Sequence, residues 1–529
     1  MTMNRRSFLK QLGCGVAGVG LLSLVPGCRT TGPALNAHSL PRSTPEAEGV
    51  SSAGILAFLD AIAQSTHELH SFMLVRHGRV VAEGWWTPYG PRFNHTMYSM
   101  SKSFTSTAVG FAVAEGRLTV DDKVVKFFPN DLPDKVSDNL AALRVRDLLS
   151  MSAGCAKEPT RSVVQEENWV RAFLAVPFAH QPGTQFMYNS AATYMCSAIV
   201  QKITGQKIID YLTPRLFEPL GIEGPTWEVC PHGINTGGWG LSIQTEGLAK
   251  FGQLYLQQGH WQGRQILPAS WVQEATTFKI QQPAPAKPAR PNAQNDWLQG
   301  YCYQFWRSTH NAYRGDGAFG QFTIVMPEKD AVLVMTSETK NMQGELDLVW
   351  EHILPALKDY PLFVDRAAHA RLQQTLSSLA LTMPKGQSSA PFTSKTFKLD
   401  ANDLGLQNVS FVFRNDACLV TFRDAQTMHP IPCGLSRWQR GSTGLPGTPP
   451  RLISGGAPKP GTKFKIATSG AWKDENTFEF MMRYYETPHH DTVTCRFDGD
   501  KVKIAFLNSI TGMNPNAKDK RPVLQGKIG

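Results

Sequence analysis

The chain has 529 residues, of which 42 % are hydrophobic and 18 % are charged, and its formal net charge is +10. This composition is that of a globular protein with ample core, and it excludes an intrinsically disordered chain. The basic residues form no continuous run, so nucleic acid is excluded as a partner. At this length we expect more than one domain.

Residues 1–27 are predicted to form an export signal. Twin arginines, Arg5 and Arg6, precede a Gly-rich apolar stretch that is too short to span a membrane, as in twin-arginine signals. Cys28 then resembles the lipidated cysteine of a bacterial lipoprotein, with a simple cleaved signal as the alternative. We therefore expect an exported protein, periplasmic or anchored to a bacterial envelope membrane through Cys28, with residues 28–45 as a tether.

Seven cysteines follow Cys28, and no two of them form a Cys-x-x-Cys pair. They are Cys155, Cys196, Cys230, Cys302, Cys418, Cys433 and Cys495. An odd number without metal-ligand spacing predicts neither a metal site nor a cofactor. The sequence is compatible with one or two disulfides if the protein resides in an oxidising compartment.

Residues 46–360 carry the pattern of an α/β (α+β) domain. Apolar residues at helical spacing predict a helix over residues 52–64, and apolar runs at 72–75 and 80–82 flank a turn and predict a β-hairpin. The remaining predicted elements are closing strands at 322–326 and 332–335 and a helix at 346–357. Because strands come from both ends of the domain, we expect one antiparallel sheet flanked by helices.

Residues 361–394 are predicted to be a linker with a short helix, and residues 395–529 an all-β domain. Short β-like runs recur through this last region, with a hairpin signal at Asp498-Gly499. A polar cluster at 484–491 contains two tyrosines, two histidines and two acids. We interpret it as a turn between strands rather than as a metal or sugar site.

Ser99 is the first residue of a segment that is predicted to contain catalytic residues. Ser99 and Lys102 stand three residues apart at the start of a predicted helix, so their side chains face each other across one turn. A serine hydroxyl needs a base, and a lysine amine serves when burial holds it neutral. The helix N-terminus adds N–H donors beside the attacked carbonyl. This is the Ser-x-x-Lys pattern of penicillin-recognising enzymes, and alone it also fits a capped amphipathic helix with an exposed lysine.

Tyr188-Asn189-Ser190 is a second motif, placed just before another apolar helical segment. A tyrosine near two positive groups has its pKa lowered, which predicts that Tyr188 acts as a base or as a proton shuttle. For this tripeptide alone, a tyrosine packed at a helix start is the alternative.

A third motif, Gly315-Asp316-Gly317, precedes the first closing strand. Glycine lets one backbone approach another closely, so the amide of Ala318 is predicted to join that of Ser99 in an oxyanion hole. Asp316 and Gly317 are accordingly candidate substrate-binding residues.

With three motifs in this order, the chain resembles the serine β-lactamase-related family over about residues 43–357. Further matching segments lie at 43–46, 49–51, 148–154, 238–241 and 248–252. The family includes class C β-lactamases, D-alanyl-D-alanine peptidases, family VIII esterases and 6-aminohexanoate-oligomer hydrolases. The resemblance implies a β-lactamase/transpeptidase-like fold and a serine hydrolase.

Position by position, the resemblance implies Ser99 as the acylated nucleophile, Lys102 as its base partner and Tyr188 as a second base or acid. Ser190 falls where the family has a site-lining Asn or Ser. The amides of Ser99 and Ala318 would form the oxyanion hole.

The third motif departs from the family, which often has Lys-Thr-Gly or His-Thr-Gly there and uses the cation to bind a substrate carboxylate. A missing cation and an added Asp316 disfavour an anionic substrate by about 1–4 kcal/mol at close range. The Gly-x-Gly form is more similar to the esterases and 6-aminohexanoate-oligomer hydrolases. We therefore predict an ester or amide substrate that is neutral or carries an amine, hydrolysed through an acyl-enzyme.

Two alternative functions stay open. One is β-lactamase or D-Ala-D-Ala peptidase activity. The other is a catalytically inactive envelope protein that binds cell-wall fragments, with the β domain as the binding part. The joint presence of Ser99, Lys102 and Tyr188 favours an enzyme, because a binding protein needs none of the three.

Overall fold

A computed structural model describes residues 39–386, 394–449, 461–514 and 516–529. The predicted export signal, the lipidation site Cys28 and most of the predicted tether lie outside these ranges, as does part of the predicted linker. Those assignments stay predictions. None of the helices in the described ranges is long and apolar enough to cross a bilayer.

An antiparallel sheet is the framework of the first domain. The strands of this domain are β1 (Glu68–Arg76), β2 (Arg79–Trp85), β3 (His95–Thr96), β4 (Thr226–Trp227), β5 (Leu241–Ile243), β6 (His260–Trp261), β7 (Arg264–Gln265), β8 (Trp306–Arg307), β9 (Tyr313–Gly317), β10 (Gln321–Met326) and β11 (Ala331–Glu338). The main sheet has the order β2-β1-β11-β10-β9-β8. The first hairpin therefore pairs with the closing strands, with Leu74 opposite Leu333, and the predicted sheet built from both ends of the domain is confirmed.

Helices cover both faces of this sheet. They are α1 (Ser52–Gln64), α2 (Ser101–Ala114), α3 (Asp138–Ala142), α4 (Val145–Leu149), α5 (Thr160–Val163), α6 (Trp169–Leu174), α7 (Ser190–Thr204), α8 (Ile208–Leu212), α9 (Glu218–Leu220), α10 (Thr245–Leu256), α11 (Ala269–Thr276), α12 (Met342–Leu348), α13 (Leu354–Ala356) and α14 (Arg366–Ser377). Successive side chains of a strand point to opposite faces. Accordingly Met73 and Val75 join the apolar cluster of α2, α7 and α10, whereas Phe72 and Leu74 join that of α1, α12 and α14.

Helix α2 is the element that sets up the site, because it is surrounded by protein. Each residue from Ser101 to Ala112 is buried. A helix that is buried on all sides belongs to the interior of a domain rather than to its surface. Any polar side chain on α2 is consequently held away from bulk water.

One predicted helix, at 346–357, is interrupted. The chain forms α12, then a π turn at Val349–Ile353, then the short α13. Pro355 has no N–H to donate to the preceding turn, which ends the regular α-helical pattern. The predicted helix over residues 52–64 is confirmed as α1.

The C-terminal domain is a closed β-barrel, which confirms the predicted all-β domain. Its strands are β12 (Ser394–Leu399), β13 (Asn408–Arg414), β14 (Ala417–Arg423), β15 (Met428–Leu435), β16 (Gln439–Thr443), β17 (Phe464–Trp472), β18 (Thr477–Arg483), β19 (His490–Asp498), β20 (Lys501–Asn508) and β21 (Leu524–Ile528), with a short helix α15 (Ser509–Gly512). A parallel contact between β15 and β17 closes the sheet, so that nine of the strands within the described ranges form the barrel and β16 extends along β17.

All seven cysteines in the described part of the chain are buried and free.

The polar cluster at 484–491 is the turn between β18 and β19, as predicted, and it docks on the first domain. The carbonyl of Glu486 accepts a hydrogen bond from the Thr96 amide at 2.9 Å, and that of Thr487 accepts one from the Tyr89 hydroxyl at 2.9 Å. Both contacts lie just upstream of Ser99 in the sequence. The barrel is therefore joined to the segment that leads to the predicted nucleophile.

A bidentate ion pair reinforces this joint. Both terminal nitrogens of Arg483 donate to the carboxylate of Glu68, at 2.6 and 2.8 Å, and Arg483 is 1 % exposed. Burial alone raises the pKa of Glu68, but the Arg483 guanidinium outweighs it and holds that pKa well below the ordinary value of 4.5. The resulting stabilisation is present above that ordinary value and is lost as the pH falls below it.

We expect Glu68→Gln to weaken the joint between the domains. Glutamine cannot balance Arg483, and a buried charge left without its partner costs about 3–5 kcal/mol. Differential scanning calorimetry should show a lower unfolding temperature or a separate barrel transition. Asp60→Asn is the control, because the Asp60–Arg371 pair is exposed and such pairs contribute little. Unchanged unfolding of Glu68→Gln would contradict the prediction.

Candidate active site

Ser99 lies in a one-turn 3₁₀ helix, Tyr98–Met100, that runs directly into α2. The predicted helix thus begins with this tighter turn, and its α-helical part starts at Ser101. The Ser101 hydroxyl donates to the Tyr98 carbonyl at 2.6 Å and accepts from the Leu241 amide at 3.1 Å, which fixes the turn. Ser99 is half-buried at the N-terminal end of a buried helix, where N–H groups face an incoming carbonyl.

The amine of Lys102 is the centre of the site. It donates hydrogen bonds to Ser99 Oγ at 3.0 Å, to Ser190 Oγ at 2.9 Å and to the carbonyl oxygen of Gly238 at 2.6 Å. The Lys102 residue is 2 % exposed. Ser99 and Lys102 face each other as their spacing predicts, and two further oxygens fix the amine.

Burial lowers the pKa of Lys102 from 10.5 to about 7. The carboxylates of Asp316 and Glu158 act in the opposite direction but do not outweigh burial. At neutral pH a large fraction of the amine is therefore uncharged. The three donated hydrogen bonds belong to the charged amine; the uncharged amine has two N–H groups, so it can donate to Ser190 and Gly238 and accept the proton of Ser99 Oγ.

Tyr188 lies at the same site with its ring stacked on Trp306 at 5.6 Å and the Lys102 amine 4.9 Å from the ring centroid. Burial raises the pKa of Tyr188, and the Asp316 carboxylate raises it further, whereas Ser99 acts in the opposite direction. The predicted lowering of this pKa is wrong, because burial outweighs the interaction that lowers it. The phenol thus stays protonated and is suited to donate a proton.

Ser190 begins α7 and receives the hydrogen bond from Lys102. Asn189 caps this helix, since its side-chain oxygen accepts from the Ala192 amide at 3.0 Å. The cap fixes the direction in which α7 leaves the site and so the position of the Ser190 hydroxyl. Sequence reasoning named Ser190 but did not identify this role of Asn189.

Sequence reasoning also missed Gly238, whose carbonyl contacts the Lys102 amine. A Cβ atom on Gly238 would lie 2.7 Å from the Ser190 carbonyl oxygen, so only glycine lets the chain pass here without displacement. The three glycines at positions 237, 238 and 240 indicated a close backbone approach in the sequence. They did not indicate which carbonyl accepts from Lys102, because a backbone acceptor has no side-chain motif.

The third motif packs against the turn that holds Ser99. A Cβ atom on Gly317 would overlap the Met97 carbonyl oxygen, and one on Gly315 would overlap the sulfur of Met100. Both glycines therefore let the end of β9 lie directly on the 3₁₀ turn. A side chain at position 315 would have to displace the ends of the Met100 and Ser103 side chains, so the present packing favours glycine over a lysine there.

Ala318 follows at the exposed end of this strand. The carbonyl of Gly317 accepts from the Gly320 amide at 3.2 Å within the turn. Because N–H and C=O of a trans peptide point in opposite directions, the Ala318 N–H points away from that turn. The N–H is therefore not used within the turn, and the oxyanion role of Ala318 stays a prediction.

Asp316 is 6 % exposed and is not a free carboxylate. The guanidinium of Arg314 pairs with it at 3.1 Å and is itself fully buried. Burial raises the pKa of Asp316, and Arg314 acts against that rise. The partner was not anticipated from the sequence, and it offsets part of the repulsion that Asp316 exerts on an anionic substrate.

Within the described ranges, one group of histidine and carboxylate side chains is close enough to hold a cation. It consists of Glu68, Glu338 and His490, whose ligand atoms lie within 4.8 Å of one another. Arg483 already occupies both oxygens of Glu68, and His490 Nδ1 lies 3.2 Å from Glu338. These residues act as an ion-pair network at the domain interface.

A serine nucleophile, a buried lysine and a tyrosine at the edge of an antiparallel sheet define a serine hydrolase. The family model described as Beta-lactamase matches residues 66–358, and the chain belongs to that family. The resemblance predicted from the three motifs is thereby confirmed.

Relatives of known name match this chain over its first domain or over most of its length. A 6-aminohexanoate-dimer hydrolase of Paenarthrobacter ureafaciens is 25 % identical over 307 residues, which are 53 % of this chain and 77 % of that protein. A penicillin-binding protein homologue from Caulobacter crescentus is 15 % identical, with 59 % of this chain and 98 % of the other covered and a TM-score of 0.46. The octameric penicillin-binding protein homologue from Pyrococcus abyssi is 15 % identical over 90 % of this chain and 99 % of its own, with a TM-score of 0.47.

The hydrolysis rate should depend on the protonation of Lys102. The predicted role of the neutral amine as the base, with a pKa of about 7, requires kcat/KM for an uncharged ester to rise about tenfold per pH unit below that value and to level off above it. Lys102→Ala should abolish the activity. A pH-stat assay avoids the titration of a nitrophenol product.

Lys250→Gln is the matched control for this pH profile. Lys250 is also buried, its pKa is also lowered by burial, and its amine donates to the Gly221 carbonyl at 2.9 Å. This variant should keep the wild-type midpoint. A wild-type profile that stays flat from about pH 5.5 to 9 would rule out Lys102 as the base.

Proposed function

We propose that this protein hydrolyses an ester or amide bond of a small molecule through a covalent acyl-enzyme on Ser99. The observation that carries the proposal is the hydrogen bond between the buried Lys102 amine and Ser99 Oγ. The same amine is buried and its pKa is lowered to about 7, which is the range that a base acting at neutral pH requires.

The proposed reaction has two halves. In the first, Ser99 Oγ attacks the substrate carbonyl carbon, its proton moves to Lys102, and the negative oxygen accepts from the amides of Ser99 and Ala318. The C–O or C–N bond then breaks, and the leaving group takes a proton from Lys102, directly or by way of the Tyr188 hydroxyl. In the second half, water attacks the acyl carbon and the same groups move its proton, which releases the acid and restores Ser99.

The charges around the nucleophile support a substrate that is not anionic. The carboxylates of Asp316 and Glu158 both act on Lys102 and on Tyr188. Glu158 is exposed, whereas Asp316 is buried with Arg314. The Glu158 carboxylate accepts hydrogen bonds from Thr160 but forms no salt bridge within the described residues, so its charge is balanced by no cation there and favours an amine over a carboxylate in an incoming substrate.

The nucleophile can be tested by labelling. The chain that begins at residue 29, treated with a fluorophosphonate, should gain one adduct by intact-mass spectrometry, and Ser99→Ala should gain none. The wild type should also turn over p-nitrophenyl esters. Ser106→Ala is a matched control on the same helix, since Ser106 is buried within α2 and should keep the label.

Two outcomes decide between this proposal and its alternatives. Comparable hydrolysis of nitrocefin or penicillin G and of a neutral ester would favour β-lactamase or D-Ala-D-Ala peptidase activity. An unlabelled Ser99 together with no turnover would favour an inactive binding protein.

The substrate charge can be tested with a series of equal chain length. We expect p-nitroanilides or p-nitrophenyl esters of 6-aminohexanoic and hexanoic acid to be hydrolysed faster than those of adipic acid. Glu158→Gln should reduce kcat/KM for the amine-bearing substrate by up to about fivefold relative to the neutral one, the range of an exposed ion pair. Glu167→Gln makes the same charge change at another exposed acid, which lies 4.0 Å from His232. Equal rates for all three substrates would contradict the proposed preference.

A further inference from the structure

Two residues in the left-handed backbone region flank the two predicted oxyanion amides. Tyr98, with φ +47°, immediately precedes Ser99, and Phe319, with φ +67°, immediately follows Ala318. For aromatic residues this conformation costs on the order of 1–3 kcal/mol and persists only when surrounding contacts impose it. The question is which contacts impose it at both places.

His489 of the β-barrel contacts both of these residues. Its Nε2 atom lies 2.5 Å from the Tyr98 hydroxyl, and its ring meets the Phe319 ring edge-on with centroids 4.9 Å apart. The rings of Tyr98 and Phe319 also pack on each other at 5.3 Å. The three rings thus form a closed triangle behind the two amides.

His489 is itself rigidly held. It is 4 % exposed, and its Nδ1 atom lies 2.6 Å from Glu338 Oε1, which also accepts from the Ser509 hydroxyl. Burial opposes ionisation of Glu338, but its hydrogen bonds with His489 and His490 lower its pKa to about 2. An ionised carboxylate only accepts, so Nδ1 carries a proton; in the neutral imidazole Nε2 then accepts from the Tyr98 hydroxyl.

The same strand end also fixes the other side of the triangle. Glu338 is the last residue of β11, and the amide of the next residue, Thr339, donates to the Phe319 carbonyl at 3.1 Å. The hydroxyl of Ser337 donates to the same carbonyl at 2.8 Å. Backbone contacts thus hold Phe319 from the first domain, and His489 holds its ring from the barrel.

We propose that His489 is a positioning residue for hydrolysis, which holds the Ser99 and Ala318 amides in line by fixing Tyr98 and Phe319, so that the barrel is part of the catalytic unit. The inference rests on the proposed function. His489 does not contact the Lys102 amine, whose hydrogen bonds go to Ser99, Ser190 and Gly238. Its loss should therefore affect transition-state binding and not the protonation of the base.

The test uses the chain from residue 29 with both domains present. His489→Ala should lower kcat for p-nitrophenyl hexanoate by about 10- to 100-fold, somewhat less than the complete loss of an oxyanion donor. KM should change less than about threefold, and the midpoint of the pH profile should stay where the wild type has it. Fluorophosphonate labelling of Ser99 should slow in parallel with kcat.

His429→Ala is the matched control. His429 is also a barrel histidine paired with a carboxylate, Asp424, at 2.7 Å, and its loss should leave kcat within about twofold of wild type. Both variants are to be compared by circular dichroism and thermal unfolding. An equal loss of kcat in both would show that any damage to the barrel suffices, and would overturn the proposal.

A double-mutant cycle with Tyr98→Phe tests whether His489 affects kcat through its contact with the Tyr98 hydroxyl. Tyr98→Phe removes only the hydroxyl that donates to His489, and should by itself cost about 3- to 10-fold in kcat. His489→Ala should then cost less in the Tyr98→Phe background than in the wild type. If His489→Ala does not fold, Tyr98→Phe still decides, because wild-type kcat in that variant would overturn the proposal.

The two hypotheses fail separately. If the wild type is not labelled at Ser99, the proposed function is wrong and the inference falls with it. If the wild type is labelled and active but His489→Ala matches it in kcat, the inference alone is wrong.

Discussion

The burial of the Lys102 amine is the constraint on which the rest of the structure depends. Lowering its pKa from 10.5 to about 7 corresponds to about 5 kcal/mol that disfavours the charged amine inside the protein. The first domain sustains this by enclosing α2 on all sides, while the oxygens of Ser99, Ser190 and Gly238 hold the amine in place. Close packing at Gly238 is part of that enclosure. The chemistry of the site thus follows from how completely one helix is buried.

Enclosure of α2 creates a second problem, which is how the chain exposes a nucleophile at the end of a buried helix. The left-handed Tyr98 solves it, because it turns the backbone sharply before Ser99. A strained turn needs support from several sides. The first domain supplies Phe319, and the barrel supplies His489. The accessory domain therefore contributes to the shape of the site without adding a group that would contact a substrate.

Much of this arrangement could be predicted from sequence, and the limits have physical reasons. The spacing of Ser99 and Lys102 follows from helix geometry, which is local, and the strands of the main sheet follow from short apolar runs beside turns. The backbone carbonyl of Gly238 has no side-chain signature. The contact between Tyr98 and His489 joins residues 391 positions apart, and no local pattern reports it. The pKa direction of Tyr188 depends on a competition between burial and charge that only the folded structure decides.

The selectivity against anions that we propose depends on packing in this fold as well as on charge. A cation at position 315 would have to displace the end of the Met100 side chain, since a Cβ atom on Gly315 overlaps the Met100 sulfur. The neighbouring Asp316 keeps its charge buried against Arg314, so replacing Asp316 alone would leave a buried guanidinium without its partner, which is costly. A change of substrate charge is therefore easier at the exposed rim, where Glu158 lies, than at the motif itself. The glycines of the third motif pack against the 3₁₀ turn that holds Ser99, so substitutions there would disturb the turn. Substitutions of exposed residues such as Glu158 would change the charge near the site without disturbing it.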